Sequence, residues 1–278
     1  MQTTGVRNDG YEVGHGRTTD TGVAPVDAQR IERHATSAWP APISHRVDGW
    51  LLRHTPGMRR LRSGNTALPL SSDGGRPGLA AVEAFYRDRG LPAAIQVSPA
   101  AQHTELDTYL SERGYRFDTP VQVLTASADA VAAAPHPPTW TVRVDDAPTP
   151  GWLKAFVDLD AQHDSRALAE RVIAEVDLPA AYTRIDDGHR TIGIGAFVGG
   201  DDRWAGVYCM ATHPGYRRRG VAAAILRAGA QWVAERAITG LYLQVTRSNT
   251  AARALYARAG FAHAYGYHYR LRTLQHGR

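Results

Sequence analysis

The chain has 278 residues, of which 43% are apolar and 21% charged, with a formal net charge of +5 and a pI near 9.5. This length favours two domains with substantial cores, and one cysteine, Cys209, excludes an intramolecular disulfide framework and a cysteine-built zinc site. The basic balance permits an acidic ligand, but no Lys/Arg run marks a polyanion-binding tail and no apolar run reaches the ~18 residues that span a membrane.

Residues 1–26 are rich in Thr, Gly and Asp and contain no hydrophobic segment of the kind found in a signal peptide. We interpret them as a disordered leader or a residual tag. A cytoplasmic location is the default expectation when no targeting signal is recognised.

Residues 27–131 show a hairpin pattern followed by alternating helix and strand patterns, which argues for a mixed α/β sheet. The predicted elements are strands at 49–53 and 60–70 that turn at Pro56-Gly57, a helix at 79–89, a strand at 93–98, a helix at 104–113 and a strand at 115–117.

Residues 132–139 are rich in Ala and Pro and are predicted to form a linker. The remainder, 140–278, repeats the order of the first half. Its predicted elements are strands at 181–185 and 191–198 that turn at Asp187-Gly188, a strand at 204–211, a helix at 221–236, a strand at 241–246, a helix at 249–259 and a strand from Phe261. We therefore predict two similar domains, each a mixed, mostly antiparallel sheet flanked by helices. One such domain beside an unrelated α/β module is the alternative.

The junction between the strand at 204–211 and the following helix has the composition of an anion site. Three arginines, Arg217 to Arg219, and Gly220 lie where the helix begins. A helix N-terminus exposes unpaired N–H groups and a partial positive charge, and glycine lets a phosphate approach the backbone closely. A solvated helix start without a ligand would have the same composition.

A second pattern follows downstream, where Asn249, the pair Leu255-Tyr256 and the pair Gly260-Phe261 recur at fixed spacing. Together with Arg217-x-x-Gly220-x-Ala222, it resembles the two signatures of the GCN5-related N-acetyltransferases, over roughly residues 139–272. The resemblance implies an α/β acetyltransferase fold and acetyl-CoA as cosubstrate. It also implies a tandem protein, because the first half has a similar element order.

The resemblance assigns roles to particular residues. Met210 to Thr212 would bind the pantetheine arm through their backbone, and an N–H near Met210 would face the developing oxyanion. Tyr256 would protonate the departing thiolate, although a core aromatic is the alternative. Asn249 would hydrogen-bond the pantetheine arm, cap its helix, or do both. The implied cofactor-binding residues are Met210, Ala211, Thr212, Arg217, Arg218, Arg219, Gly220, Val221, Ala222 and Asn249.

The general base is not identified by the pattern. Many family members carry a Glu on the strand before the loop, and residues 204–211 contain none. The open candidates are a water chain and five side chains, His163, Asp164, Asp201, Asp202 and His213. Cys209 lies in an apolar strand and is interpreted as a small buried hydrophobic residue.

The first half lacks the anion loop. Where the loop should fall, between Leu70 and Gly78, Asp73 would repel phosphate and Pro77 lacks an N–H donor. We predict that this degenerate domain does not bind coenzyme A and instead shapes the acceptor pocket at the domain boundary.

These observations predict an N-acetyltransferase that acts on a primary amine of a small molecule, such as a metabolite, an amino acid or an antibiotic. The alternatives are a non-catalytic acyl-CoA sensor or scaffold and an acetyltransferase that modifies a protein amine. We expect no metal, because the histidines lack metal-ligand spacing, and no nucleic-acid or membrane partner. A homodimer is compatible with the sequence.

Overall fold

The computed structural model describes residues 28–58, 64–70, 78–134, 140–160, 165–200 and 203–274, so the leader predicted at 1–26 lies outside them. Within these residues the chain forms one mixed sheet of 11 strands flanked by helices. The strands are β1 (Ile43–Val47), β2 (Trp50–His54), β3 (Ala67–Pro69), β4 (Ala93–Val97), β5 (Arg116–Ser127), β6 (Arg143–Asp145), β7 (Ala180–Asp187), β8 (Arg190–Val198), β9 (Trp204–Thr212), β10 (Gly240–Thr246) and β11 (Ala262–Arg272). The α-helices are α1 (Ala28–Ala38), α2 (Leu79–Arg87), α3 (Thr104–Glu112), α4 (Ala128–Ala133), α5 (Pro150–Asp160), α6 (Ser165–Arg171), α7 (Val221–Ala234) and α8 (Thr250–Arg258).

The strand order is β1-β2-β3-β4-β11-β5-β10-β9-β8-β7-β6. The strands of the first half and those of the second half are arranged alike on the two sides of the centre of the sheet. Each half contributes three antiparallel strands, β1 to β3 or β7 to β9, followed by a parallel neighbour, β4 or β10. Helix α2 precedes β4 as α7 precedes β10, and α3 follows β4 as α8 follows β10. The two halves therefore share one element order.

The centre of the sheet exchanges strands between the halves. Strand β11 lies between β4 and β5, with His268 opposite Val97. Strand β5 lies between β11 and β10, with Leu124 opposite Leu243. The sequence predicted a sheet in each half, and the exchange joins the two into one continuous sheet.

The first half contains the predicted hairpin and, before it, a hairpin that was not predicted. Strands β1 and β2 are joined by Asp48 and Gly49, which have φ of 46° and 81°. Two consecutive residues with positive φ are typical of the turn that matches the twist of a two-residue hairpin. The turn predicted at Pro56-Gly57 does follow β2, which pairs with β3 (Ala67–Pro69); residues 60–63 of the predicted strand lie outside the described residues.

The hairpin of the second half is confirmed, since β7 pairs with β8 up to Asp187 and Arg190. The predicted helix ends are also confirmed. Gly114 after α3 and Gly260 after α8 both have positive φ, 77° and 91°. Glycine tolerates this left-handed conformation, which stops a helix and redirects the chain.

The boundary region between the halves is more structured than the sequence indicated. Strand β5 continues to Ser127, whose hydroxyl caps α4 by accepting from the N–H of Ala130 at 3.4 Å. Arg227 of α7 donates to the carbonyl of Ala132 at 2.9 Å. The first two residues of the predicted linker, 132–133, therefore belong to a helix, and 135–139 lie outside the described residues.

The packing of α7 on β8 depends on a glycine. The ring of Phe197 lies against Gly229, and a Cβ at that position would overlap it. We expect Gly229→Val to lower the free energy of unfolding by about 2–3 kcal/mol, because overpacking forces a side chain or the helix to move. Urea unfolding measures this, with Gln231→Val on the exposed face of α7 as the control. Equal unfolding midpoints for the two variants would contradict the packing argument.

Among the described residues, none of the helices has the length and apolar character that crossing a membrane requires. The same part of the chain contains no group of three or more His, Cys, Asp or Glu side chains placed to hold a metal ion.

Candidate active site

Strands β9 and β10 are parallel neighbours that separate after three residue pairs. Pairing is confined to Trp204–Gly206 against Gly240–Tyr242, although both strands continue well beyond. We call this opening the fork. Backbone N–H and C=O groups along its edges have no ladder partner from the opposite strand, so they are available to water or to a ligand that carries amides. A fork of this kind suits an extended, amide-containing chain.

A β-bulge in β9 lies at the fork. Ile194 and Ala196 of β8 oppose Ala211 and Tyr208, so one extra residue is inserted in β9. Cys209 in the bulge has φ of 53°, which is unusual for a residue with a side chain. Bulges and strained backbone of this kind concentrate next to functional sites, where they redirect the chain.

A glycine makes room for the bulge on the opposite strand. A Cβ at Gly195 would lie 2.7 Å from the sulfur of Met210. Cys209 itself is half-buried, packs against a core cluster and also lines the cavity described next, so the prediction of a small buried residue is confirmed only in part. The cause is the bulge, which takes this position out of strand alternation.

The fork opens into a cavity of about 420 Å³. Residues 207–210 of β9, 244–246 of β10 and part of α8 line one side. The other side comes from the first half and consists of α1, β2 and β4 side chains together with Gly64. The cavity is therefore built by both halves. Trp39, the residue after α1, also lines the cavity and stacks on Tyr208 at 5.3 Å between ring centroids.

Tyr256 lies on α8 and lines this cavity. Its ring contacts Phe261 edge-on at 5.7 Å between centroids and belongs to the main core cluster. Burial raises the pKa of its phenol to about 12, and its hydroxyl has no hydrogen-bond partner among the described residues. The side chain is thus both a core aromatic and a protonated hydroxyl facing the cavity.

Asn249 caps α8, with its Oδ1 accepting from the N–H of Ala252 at 3.1 Å. It also lines the cavity, so the capping geometry does not remove it from the site. Both predicted roles are compatible with this position.

The arginine loop lies at the surface, at the N-terminus of α7. Gly220 is the N-cap with φ of 82°, and a Cβ there would meet nothing within 4 Å, so backbone conformation selects the glycine. Arg218 also has positive φ, 61°, and all three arginines are exposed. The indole N–H of Trp140 donates to the carbonyl of Arg219 at 2.8 Å and holds the turn. Val221 is buried beneath the turn, and Ala222 is half-buried.

The structure brings one acidic side chain to the cavity that the sequence analysis did not select. Glu32 of α1 accepts from the amide of Gln96 at 3.1 Å and from the hydroxyl of Tyr265 at 2.7 Å. Burial raises the pKa of this carboxyl, and the Tyr265 hydrogen bond and the charge of Arg53 only partly oppose it. A buried carboxylate that accepts protons more readily than an exposed one has the properties of a general base.

Of the five side chains named as candidate bases, the structure describes only His213, which does not line the cavity. His213 is half-buried, and its Nδ1 accepts from the N–H of Gly215 at 3.2 Å outside the cavity. His163, Asp164, Asp201 and Asp202 lie outside the described residues.

The amphipathic stretch that contains Ile31 could have indicated α1, but no local sequence pattern shows that Glu32 reaches the second half.

Fold and fork together define a GCN5-related N-acetyltransferase, which is an acyltransferase. The sequence model of the family described as "Probable histone acetyltransferase Rv0428c C-terminal" matches residues 26–271, and the chain belongs to this family. The N-acetyltransferase YobR of Bacillus subtilis, described as uncharacterized, is 24% identical over 247 residues, which cover 88% of this chain and 99% of that one.

Two solved structures show the same fold along most of the chain. A GCN5-related N-acetyltransferase from Kribbella flavida has a TM-score of 0.66 at 15% identity, covering 91% of this chain and 98% of that one. A tandem GNAT protein from the clavulanic acid biosynthesis pathway has a TM-score of 0.64 at 13% identity, covering 90% of each chain.

Proposed function

We propose that the protein transfers the acetyl group of acetyl-CoA to a primary amine of a small molecule by direct attack of the amine on the thioester. The observation that carries the proposal is that one cavity is lined by both edges of the fork, by Tyr256 and by Glu32. A thioester held in the fork would have a proton donor and a proton acceptor within the same enclosed space.

The chain offers the groups that coenzyme A requires. In this proposal the pantetheine arm lies along Met210 to Thr212, and the pyrophosphate meets the N-terminus of α7, where Gly220 presents no side chain. The first N–H groups of a helix are unpaired and its dipole favours an anion there. Arg217, Arg218 and Arg219 would add positive charge beside Val221 and Ala222, and Asn249 would hydrogen-bond the arm.

Two proton transfers complete the proposal. Glu32 accepts the proton that the attacking amine loses, directly or through one water. Tyr256 donates its proton as the thiolate departs, and its raised pKa keeps it protonated at neutral pH. The backbone N–H near Met210 stabilises the negative charge that develops on the carbonyl oxygen.

We propose a tandem arrangement in which the first half serves the acceptor and does not bind coenzyme A. The shared strand order supports two similar halves. Strands β3 and β4 also separate early, since only Ala67 and Ile95 pair. Pro69 and Pro99 line a cavity of about 300 Å³ there, and neither has an N–H for a pantetheine arm. The predicted obstacles Asp73 and Pro77 lie outside the described residues.

Thiol release from acetyl-CoA tests the proposed function. We expect amine-dependent release of free thiol, with the acetylated product identified by mass spectrometry, when a panel of metabolites, amino acids and aminoglycoside antibiotics is supplied. A lysine-containing histone peptide belongs in the panel because of the family's description. Tight binding of acetyl-CoA by calorimetry with no thiol release for any amine would instead support the acyl-CoA sensor.

A further inference from the structure

Arg53 of β2 is a buried cation that faces the cavity. Its Nε donates to the carbonyl of Thr66 at 3.4 Å, and its Nη2 donates to the Thr66 hydroxyl and to Oε1 of Gln96, the latter at 3.0 Å. A guanidinium has five N–H donors, and these three bonds leave both hydrogens of Nη1. Among the described residues nothing accepts from Nη1, and this nitrogen is not sealed from the cavity.

Gln96 holds Arg53 and Glu32 apart. Its Oε1 accepts from Arg53 and its Nε2 donates to Glu32 at 3.1 Å, so the amide stands between the two charges. No ion pair within 4.0 Å joins the two side chains in the described structure. Arg53 therefore keeps Nη1 for a ligand, and Glu32 is not neutralised by it directly.

The rest of the cavity lining carries no opposite charge for either group. Of the described residues that line it, Glu32 and Arg53 alone have a carboxyl or a basic side chain. Both are buried. A buried charge without a close counterion is costly, since little water remains to solvate it. A ligand with one ammonium and one anionic group would supply both counterions and leave the filled cavity without net charge.

We propose that the acceptor is an amine that also carries a carboxylate, as an amino acid does, and that Arg53 binds this carboxylate through Nη1. The inference rests on the proposed function and adds the acceptor's chemical class to it. The carboxylate at Arg53 fixes one end of the acceptor and places its amino group on the Glu32 side of Gln96. An amine without the acidic group would enter the cavity and leave Arg53 uncompensated.

The test compares amines in matched pairs, phenylalanine with phenethylamine and lysine with cadaverine, in the thiol-release assay. For the wild type we expect kcat/KM to be roughly tenfold to a hundredfold higher for the carboxylate-bearing member of a pair, the usual range for a hydrogen bond to a charged group. In Arg53→Met the ratio of kcat/KM within each pair should fall to about one, because the loss of charge beside Glu32 affects both members equally and only the carboxylate-bearing member loses its partner. Arg46→Met, on the exposed face of β1, removes one positive charge elsewhere and should keep the preference.

Calorimetry with the same four amines, in the presence of coenzyme A, separates this proposal from the proposed function. Selective binding of the carboxylate-bearing members without any thiol release would support Arg53 and contradict acetyl transfer. Thiol release at equal kcat/KM within both pairs would contradict Arg53 and leave acetyl transfer intact. If Arg53→Met does not fold, the comparison of the paired amines with the wild type decides alone. If the variant folds and still prefers the carboxylate-bearing amines, Arg53 is not the residue that binds the carboxylate.

Discussion

Replacing Glu32 with glutamine is expected to lower kcat by about 10²- to 10⁴-fold, the range over which general bases contribute, and to leave acetyl-CoA affinity within about threefold. The carboxylate accepts hydrogen bonds from Gln96 and Tyr265, but neither neutral donor can take up a proton from an amine. Steady-state thiol release with the best amine of the panel measures the loss. Calorimetric titration with acetyl-CoA measures the affinity.

The pH profile distinguishes this role from a structural one. Burial raises the pKa of Glu32 against the opposing effects of Tyr265 from β11 and Arg53 from β2, while the phenols of Tyr208 and Tyr242 remain neutral nearby. The base must be ionised, so kcat should rise with pH as this raised pKa is passed. In Glu32→Gln that rise should disappear.

Glutamine at position 32 also disturbs a hydrogen bond, because its amide would face the amide of Gln96. In a double variant, Glu32→Gln with Gln96→Glu, the amide of residue 32 donates to the carboxylate of residue 96. The hydrogen bond between the two side chains is restored and the total charge is unchanged. We expect it to unfold at the wild-type temperature and to turn over as slowly as the single variant. A single variant with kcat within threefold of the wild type and an unchanged pH profile would remove Glu32 from catalysis.

Replacing Tyr256 with phenylalanine is expected to lower kcat by about 10²-fold, again the contribution of one positioned proton-transfer group. The change removes only a hydroxyl that has no partner among the described residues, so packing against Phe261 is kept and no buried group loses a hydrogen bond. Thermal stability and acetyl-CoA affinity should both remain close to those of the wild type. Since the pKa of the phenol is about 12, kcat of the wild type should not fall at alkaline pH below that value through this group.

A matched control exists in the first half. Tyr109 lies on α3, the helix that corresponds to α8 in the element order, and it does not line the cavity. Tyr109→Phe should leave kcat unchanged. Equal kcat for Tyr256→Phe and Tyr109→Phe would leave Tyr256 as a core aromatic only.

Local signals were sufficient to predict much of the second half. Gly220, Asn249 and Gly260 each mark a helix boundary through backbone conformation or a side-chain cap, and the structure has boundaries at these positions. Such signals depend on neighbours within a few residues, which the sequence displays directly. The element order of both halves was accessible for the same reason.

The composite cavity could not be predicted in this way. Glu32 and Arg53 reach the cavity only because β11 and β5 bring the halves into one sheet, and strand pairing between distant segments leaves no local pattern. The amphipathic pattern of α1 identifies an inward face but does not say what that face contacts. The unusual conformation of Cys209 likewise depends on the register between β8 and β9.

The strand exchange at the centre of the sheet has a consequence for the order in which the chain folds. Val97 of β4 pairs with His268 of β11, so these partners are separated by most of the sequence. Until β11 has left the ribosome, β4 and β5 each present an unpaired edge, which invites association with other chains. Contacts of such high sequence separation form slowly because a long loop must close first. The nascent chain therefore depends on β11 to cover the edges of β4 and β5, and truncation before β11 should produce aggregation.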